Sequence, residues 1–173
     1  NRNNIETDCA GVETLVSRNG RFDFIYSISV IEHIGGRIGD TNAVATMWGA
    51  LKPGGTLAVT FPVDRKYREE LRDKRIYETQ EKVGEKYFFQ CHYDFPTIRE
   101  RFLLPLQTQD YVLRFFGERV PGYFSSYEQR WMREGLNVTV EDARIMANNF
   151  SEYSNWDEMP GCGVCGLRAV KPR

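Results

Sequence analysis

The chain has 173 residues, 41% hydrophobic and 13% aromatic, enough to bury the core of a single globular domain. Its 23 basic and 24 acidic residues leave a formal charge of −1, which argues against a polyanionic partner and hence against nucleic acid. No apolar run approaches the length of a membrane span, and the four cysteines, with Cys9 and Cys91 standing alone, point to a reduced, cytoplasmic setting rather than a disulfide framework.

In chain order, the first long apolar run is Phe22 to Ile31. Phe22, Phe24, Ile25, Tyr26, Ile28, Val30 and Ile31, interrupted only by Asp23, Ser27 and Ser29, predict a strand of a parallel sheet covered on both faces. Glu32 and His33 sit in the turn that follows. Asp40 is placed to cap a helix whose residues Ala43, Val44, Met47, Trp48 and Leu51 form one apolar stripe. That helix should end at Leu51 or Lys52, because Pro53 cannot continue it. Gly54 and Gly55 can supply the positive φ of a reversal, and Thr56 to Phe61 reads as a second buried strand. The unit is strand, helix, strand, with a right-handed crossover expected.

These residues carry a resemblance. The stretch Phe22 to Ile34 (FDFIYSISVIEHI), followed by Leu51 to Leu57 (LKPGGTL), resembles the middle of the class I S-adenosylmethionine-dependent methyltransferases, α/β proteins with a Rossmann-like sheet. The similarity is specific over residues 5 to 61 and looser beyond. Ile5 to Cys9 resembles the end of the preceding strand. By that resemblance Asp8 would bind the adenine amino group, Cys9 would meet the ring through its backbone, and Ser27 and Ile28 would line the methionine end of S-adenosylmethionine. The family's Gly-x-Gly loop has no counterpart before Ile5, and Gly161-Cys162-Gly163 has the letters without the preceding strand, so it is read as a turn. The resemblance therefore implies a partial sheet, from the family's third strand onward, with a gap and an unpaired apolar edge. It also implies that residues 1 to 173 are the C-terminal part of one methyltransferase domain in a longer protein, a piece that alone would bind the cofactor poorly or not at all.

From Asp64 to Lys82 charged residues crowd together, which predicts a solvated helix or loop with Tyr67 and Leu71 as a shallow contact stripe and Glu70 paired to Lys74. Following a strand's carboxyl end, it could also serve as a substrate lid. After the run Tyr87 to Asp94, Asp94 should cap a helix with Pro96 in its first turn and Ile98 and Phe102 one turn apart. Tyr111 to Phe116 reads as a strand. Tyr123, Tyr127 and Trp131 recur at helical spacing, and Thr139 to Asp142 resembles a capping box before Ala143, Met146, Ala147 and Phe150. Such aromatic stripes are read as core. Residues 64 to 160 together form an α-rich aromatic insertion of the kind with which methyltransferases specialise their acceptor pockets. Val164 to Val170 looks like the family's antiparallel last strand, with Cys165, Leu167 and Ala169 on one face. Cys162-x-x-Cys165 is then packing, since no further ligands stand at metal-site spacing and no metal is expected.

Methyl transfer from a sulfonium is an in-line displacement that requires no metal; the protein aligns donor and acceptor at about 3 to 3.5 Å and excludes water. A hydroxyl acceptor also needs a base. His33 and His92, the only histidines, are the candidates, each set against plain hydrogen-bonded packing. The run from Ser27 to Gly35 is similar to that of cyclopropane-forming lipid methyltransferases, which adds Glu32 near the reacting centre. The expected function is methyl transfer to a small molecule or glycan precursor. The looser similarity of Tyr87 to Asp94 and of Phe116 to Arg119 is to methyltransferases of cell-surface polysaccharide synthesis. Carbon methylation of a lipid, which calls for a long apolar tunnel, and a non-catalytic scaffolding module are the alternatives.

Overall fold

The expected strand–helix–strand unit is the frame of the molecule. The computed structural model describes residues 10–35, 38–77, 80–134 and 143–173; Asp8, Cys9 and the capping box at Thr139 to Asp142 lie outside the described residues. In chain order the elements are β1 (Phe22–Ile28), α1 (Gly39–Ala50), β2 (Leu51–Val63), β3 (Arg68–Arg72), β4 (Lys82–Val83), β5 (Lys86–His92), α2 (Phe95–Ile98), α3 (Leu104–Leu106), β6 (Tyr111–Glu118), α4 (Tyr123–Glu134), α5 (Ala143–Asn149), β7 (Phe150–Tyr153) and β8 (Gly163–Val170). A five-stranded sheet of order β1-β2-β8-β6-β7 has β1 parallel to β2 and β8 antiparallel to both β2 and β6. The last strand is thus antiparallel, as expected, in an open mixed α/β sheet.

Period-two alternation puts Leu57, Val59, Phe61 and Val63 of β2 on one buried face with Cys165, Leu167 and Ala169 of β8. They share one core with Val44 and Met47 of α1 and with Ile98, Phe102 and Leu106 of the following helical segment, each large side chain contributing about 1.5–3 kcal/mol by burial. The opposite face differs from expectation. Phe24, Tyr26 and Ile28, in register with Thr56, Ala58 and Thr60, are exposed, Tyr26 by 68%. A strand covered on both faces was expected, but no element among the described residues packs over this side. Nor does β1 have a second neighbour among the described residues, which leaves the apolar edge that the resemblance implied.

Two further expectations at this unit are corrected. Asp40 does not cap α1; Ile38 holds that position without a side-chain bond. Instead the Asp40 carboxylate, 1% exposed, accepts hydrogen bonds from Tyr93 Oη and Arg101 Nη1, both at 2.9 Å, and ties α1 to the segment at 93–101. Gly54 does adopt positive φ, at 78°. Gly55 does not; glycine is required there because a Cβ would lie 2.9 Å from the Lys52 carbonyl oxygen and 3.1 Å from that of Phe22.

The charged stretch after β2 is a strand rather than a solvated helix or loop. β3 pairs with β5, which pairs with β4, in a second sheet of order β3-β5-β4, so the insertion carries strands as well as helices. Alternation turns Arg68, Glu70 and Arg72 to one side, and Arg68 and Glu70 stand opposite His92 and Gln90. Their charges meet one another, so Glu70 pairs with Arg72 and His92 and not with Lys74. Tyr93 fastens this sheet to the carboxyl end of β2: its N–H donates to Pro62 O at 3.1 Å and its carbonyl accepts from Asp64 N at 2.9 Å. Asp94 caps α2 as expected, accepting from Thr97 N at 3.0 Å with Pro96 in the first turn. Phe150 belongs to β7, opposite Glu118, rather than to a helix.

Candidate functional site

The carboxyl end of β1 and the turn after it separate two cavities. Ser29 takes a left-handed conformation, φ 49°, uncommon for a residue with a Cβ, and its N–H is held by Thr60 O at 3.2 Å. A single helical turn, Ile31–His33, follows. This reversal sends neighbouring residues to opposite sides. Ser27, Ile28 and Ile31 line a cavity of about 520 Å3, shared with Gly11, Val12, Thr14 and Leu15 and with Ala43 and Met47 of α1. Ser29, Glu32 and His33 line a second cavity of about 210 Å3, shared with Phe89 and Gln90 of β5 and with Phe124, Tyr127 and Glu128 of α4.

Glu32 is 2% exposed, and its Oε2 is a buried atom without a hydrogen-bond partner. Burial pushes its carboxyl up to about 7, against the opposing pull of its own backbone N–H and the Ser29 hydroxyl. His33 Nδ1 lies 2.6 Å from Phe89 O. A carbonyl can only accept, so Nδ1 carries the hydrogen and Nε2 is left with its lone pair, 4.0 Å from Glu32 Oε1. Tyr77 and Phe89 pack edge-on against the imidazole at 5.3 and 5.0 Å. Glu32 and His33 thus place a protonatable carboxyl and an oriented base on the same wall.

His92 is brought close to neither cavity surface. It is fully buried behind Gln90, in a polar cluster formed by β3, β5 and α4. Its Nδ1 is 3.2 Å from Arg68 Nη2; a guanidinium only donates, so Nδ1 accepts and Nε2–H points to Glu70 Oε2 at 3.3 Å. Gln90 Nε2 donates to Glu70 Oε2 at 2.8 Å and to Glu128 Oε1 at 3.0 Å. Burial would raise the Glu70 carboxyl, but hydrogen bonds from His92 and Gln90 and the Arg72 charge outweigh it and leave it below its usual value. Glu128 is raised, by burial first and then by the charge of Glu70. Glu70, His92 and Glu128 offer ligand atoms within 4.8 Å of one another. Arg72 pairs with Glu70 there and Arg68 fills the histidine's lone pair, so two of the three donors are already taken by guanidinium groups and the cluster is not arranged for a metal ion.

Three further residues that no sequence motif marked, Glu128, Gln90 and Glu118, hold this region together. Glu118, 1% exposed, accepts from Phe124 N at 2.7 Å, Gly122 N at 3.1 Å and Cys162 N at 2.9 Å. It therefore fixes both the start of α4 and the Gly161–Gly163 turn, where a Cβ on Gly161 would collide with its Oε1. The available signal was Tyr127, whose helical spacing was read as core although it lines the smaller cavity. Cys162 and Cys165 are free and buried, with Cys165 packed on the core face of β8 as expected. No helix among the described residues is long and apolar enough to cross a membrane.

No family model matches the chain, and no curated protein matches it in sequence. Solved structures do resemble it. One is phosphoethanolamine N-methyltransferase 2 of Haemonchus contortus in complex with S-adenosyl-L-methionine, with 14% identity and a TM-score of 0.43 over 90% of this chain and 34% of that one. Another is the cyclase SpnF, with 16% identity and a TM-score of 0.46 over 95% and 56% of the two chains. A third is an S-adenosylmethionine-dependent methyltransferase from Mesorhizobium loti, with 12% identity and a TM-score of 0.41 over 92% and 67%. The chain spans about a third of the first of these proteins and just over half of the second.

Proposed function

We propose that the protein transfers a methyl group from S-adenosylmethionine to a small molecule or glycan precursor. The observation that carries this reading is the division of labour at the turn after β1, where Ser27, Ile28 and Ile31 face the 520 Å3 cavity and Ser29, Glu32 and His33 face the 210 Å3 cavity. The larger cavity fits the cofactor: it lies at the carboxyl end of a parallel strand, and Ile31, Ala43 and Met47 offer an apolar wall for a flat ring. Ser27 and Ile28 would hold the cofactor there, and Asp8 and Cys9, which precede the cavity residue Ala10, would complete the adenine end. When bound, the cofactor supplies an activated methyl on sulfur. The chain's own residues orient the acceptor between aromatic rings, exclude water, and receive the acceptor's proton at His33 Nε2, whose tautomer the Phe89 carbonyl fixes. Glu32 holds or releases a second proton beside it. His92 acts as a positioning residue by ordering Glu70 and, with Gln90, Glu128. Lipid carbon methylation finds less support, because the smaller cavity holds only about 210 Å3 and carries two carboxyl groups.

The test is calorimetric titration of the gene's full translation product with S-adenosylmethionine, beside the 173-residue chain. Micromolar binding by the full product, with weaker or no binding by the 173 residues, is expected. A folded full product that does not bind would overturn the methyltransferase reading and favour a scaffolding role.

A further inference from the structure

The smaller cavity has a composition that selects for charge. Four aromatic side chains, Tyr77, Phe89, Phe124 and Tyr127, line it together with the carboxyl groups of Glu32 and Glu128. Ring faces carry negative potential, and a desolvated cation is held by them and by carboxylates at once. The Glu32 carboxyl is 2% exposed, and its Oε2 has no partner, a buried acceptor left over on the cavity wall, where an unmade hydrogen bond is costly. The basic groups nearby are already engaged. Arg72 stacks over Phe89 at 4.8 Å, but its guanidinium is paired to Glu70 and reaches Glu128 only at 3.9 Å. At about 30 Å3 per water-sized group, a 210 Å3 cavity takes a ligand of roughly seven heavy atoms.

We infer that this cavity binds a small organic ammonium ion, held between the rings of Tyr77, Phe89, Phe124 and Tyr127 with Glu32 and Glu128 as its counter-charges. This rests on the methyl-transfer reading for its consequence, that the acceptor is an amine, but not for the binding itself. A protonated amine acceptor must first lose a proton, and His33 Nε2 is the base on the cavity wall that takes it. The freed nitrogen lone pair then forms the bond to carbon as the carbon–sulfur bond of the sulfonium breaks, and the neutral thioether leaves.

The experiment compares choline with its uncharged carbon isostere, 3,3-dimethyl-1-butanol, by calorimetry on the full translation product without cofactor. Choline should bind about tenfold more tightly. Glu128→Gln should remove most of that preference, and Phe124→Leu should weaken choline about threefold, with circular dichroism confirming that each variant is folded. Equal binding of the two probes, or no choline binding by the folded wild type, would overturn the inference. If S-adenosylmethionine fails to bind while choline is selected, the transfer reading falls and the cation site stands; the reverse result removes the cation site alone.

Discussion

His33 Nδ1 sits 2.6 Å from the carbonyl oxygen of Phe89, fifty-six residues further along the chain. That one contact joins the turn after β1 to the second sheet and decides which imidazole nitrogen can act as a base. His33→Ala should lower methyl transfer by about 10²-fold or more while changing S-adenosylmethionine affinity by less than about twofold, because the imidazole lines the smaller cavity and not the larger one. His33→Asn, which can still donate to Phe89, should recover stability but not rate. An activity loss explained wholly by weaker cofactor binding would contradict the assignment.

Glu32 makes stability depend on pH in a definite sense. Its carboxyl is raised to about 7 in the folded protein from an ordinary 4.5, so between those values the folded state holds more protons than the unfolded one. Stability therefore falls as pH rises through this window. The penalty is complete above about pH 7, where it approaches ~3 kcal/mol. The groups facing Glu32 are His33 and the Ser29 hydroxyl on its own turn and Glu128 across the cavity. Glu32→Gln should be more stable than wild type at pH 8, and the two should converge near pH 4.5; urea denaturation across that range would show it.

Asp40 offers a contrast, a buried carboxylate that is fully partnered. Asp40→Ala leaves Arg101 and the Tyr93 hydroxyl without their acceptor and should cost about 3 kcal/mol. Chemical denaturation should show the loss, while the affinity of the larger cavity for S-adenosylmethionine should change little. A cost under about 1 kcal/mol would mean that the two donors find other partners.

The three N–H groups gathered by Glu118 tie α4 to the turn before β8. Glu118→Ala should accelerate hydrogen exchange at Phe124, Gly122 and Cys162 together, and with α4 loosened the choline preference should drop. Exchange confined to one of the three would show that the carboxylate is not their shared anchor.

Tyr26 and Phe24 stand exposed on β1, their rings 6.0 Å apart, beside a strand edge with no second neighbour among the described residues. Such a surface promotes association. The 173-residue chain should self-associate in sedimentation velocity, and Tyr26→Lys should shift it toward monomer. An unchanged distribution would place the contact elsewhere.

The frame of the molecule was legible because its signals are local. The apolar stripe of α1 stops ahead of Pro53, although the helix ends at Ala50, before the expected Leu51, which already belongs to β2; Asp94 caps α2, and the alternation of Cys165, Leu167 and Ala169 marks a buried strand face. β3 was not legible for the opposite reason. Arg68, Glu70 and Arg72 look solvated until His92 and Gln90 are set opposite them, and that partnership exists only in the folded chain. Asp40 misled in the same way, since a capping residue and a buried ion-pair acceptor share one letter beside a helix start. Of the candidate site, the resemblance pointed to Glu32, Ser27 and Ile28 and the scarcity of histidines to His33, and the structure sets these four at the carboxyl end of β1 and the turn after it. Glu128 could not be found in this way, because it reaches the cavity from a helix whose spacing predicts only packing. The bare side of β1 was misread because apolar content says that a face wants cover, not what supplies it.

The most direct test is a crystal structure of the full translation product with S-adenosylhomocysteine. The ligand should occupy the cavity lined by Ser27, Ile28 and Ile31, with Asp8 at its adenine end and its sulfur directed across the turn toward Glu32 and His33. A ligand bound elsewhere, or one whose sulfur points away from that turn, would contradict it.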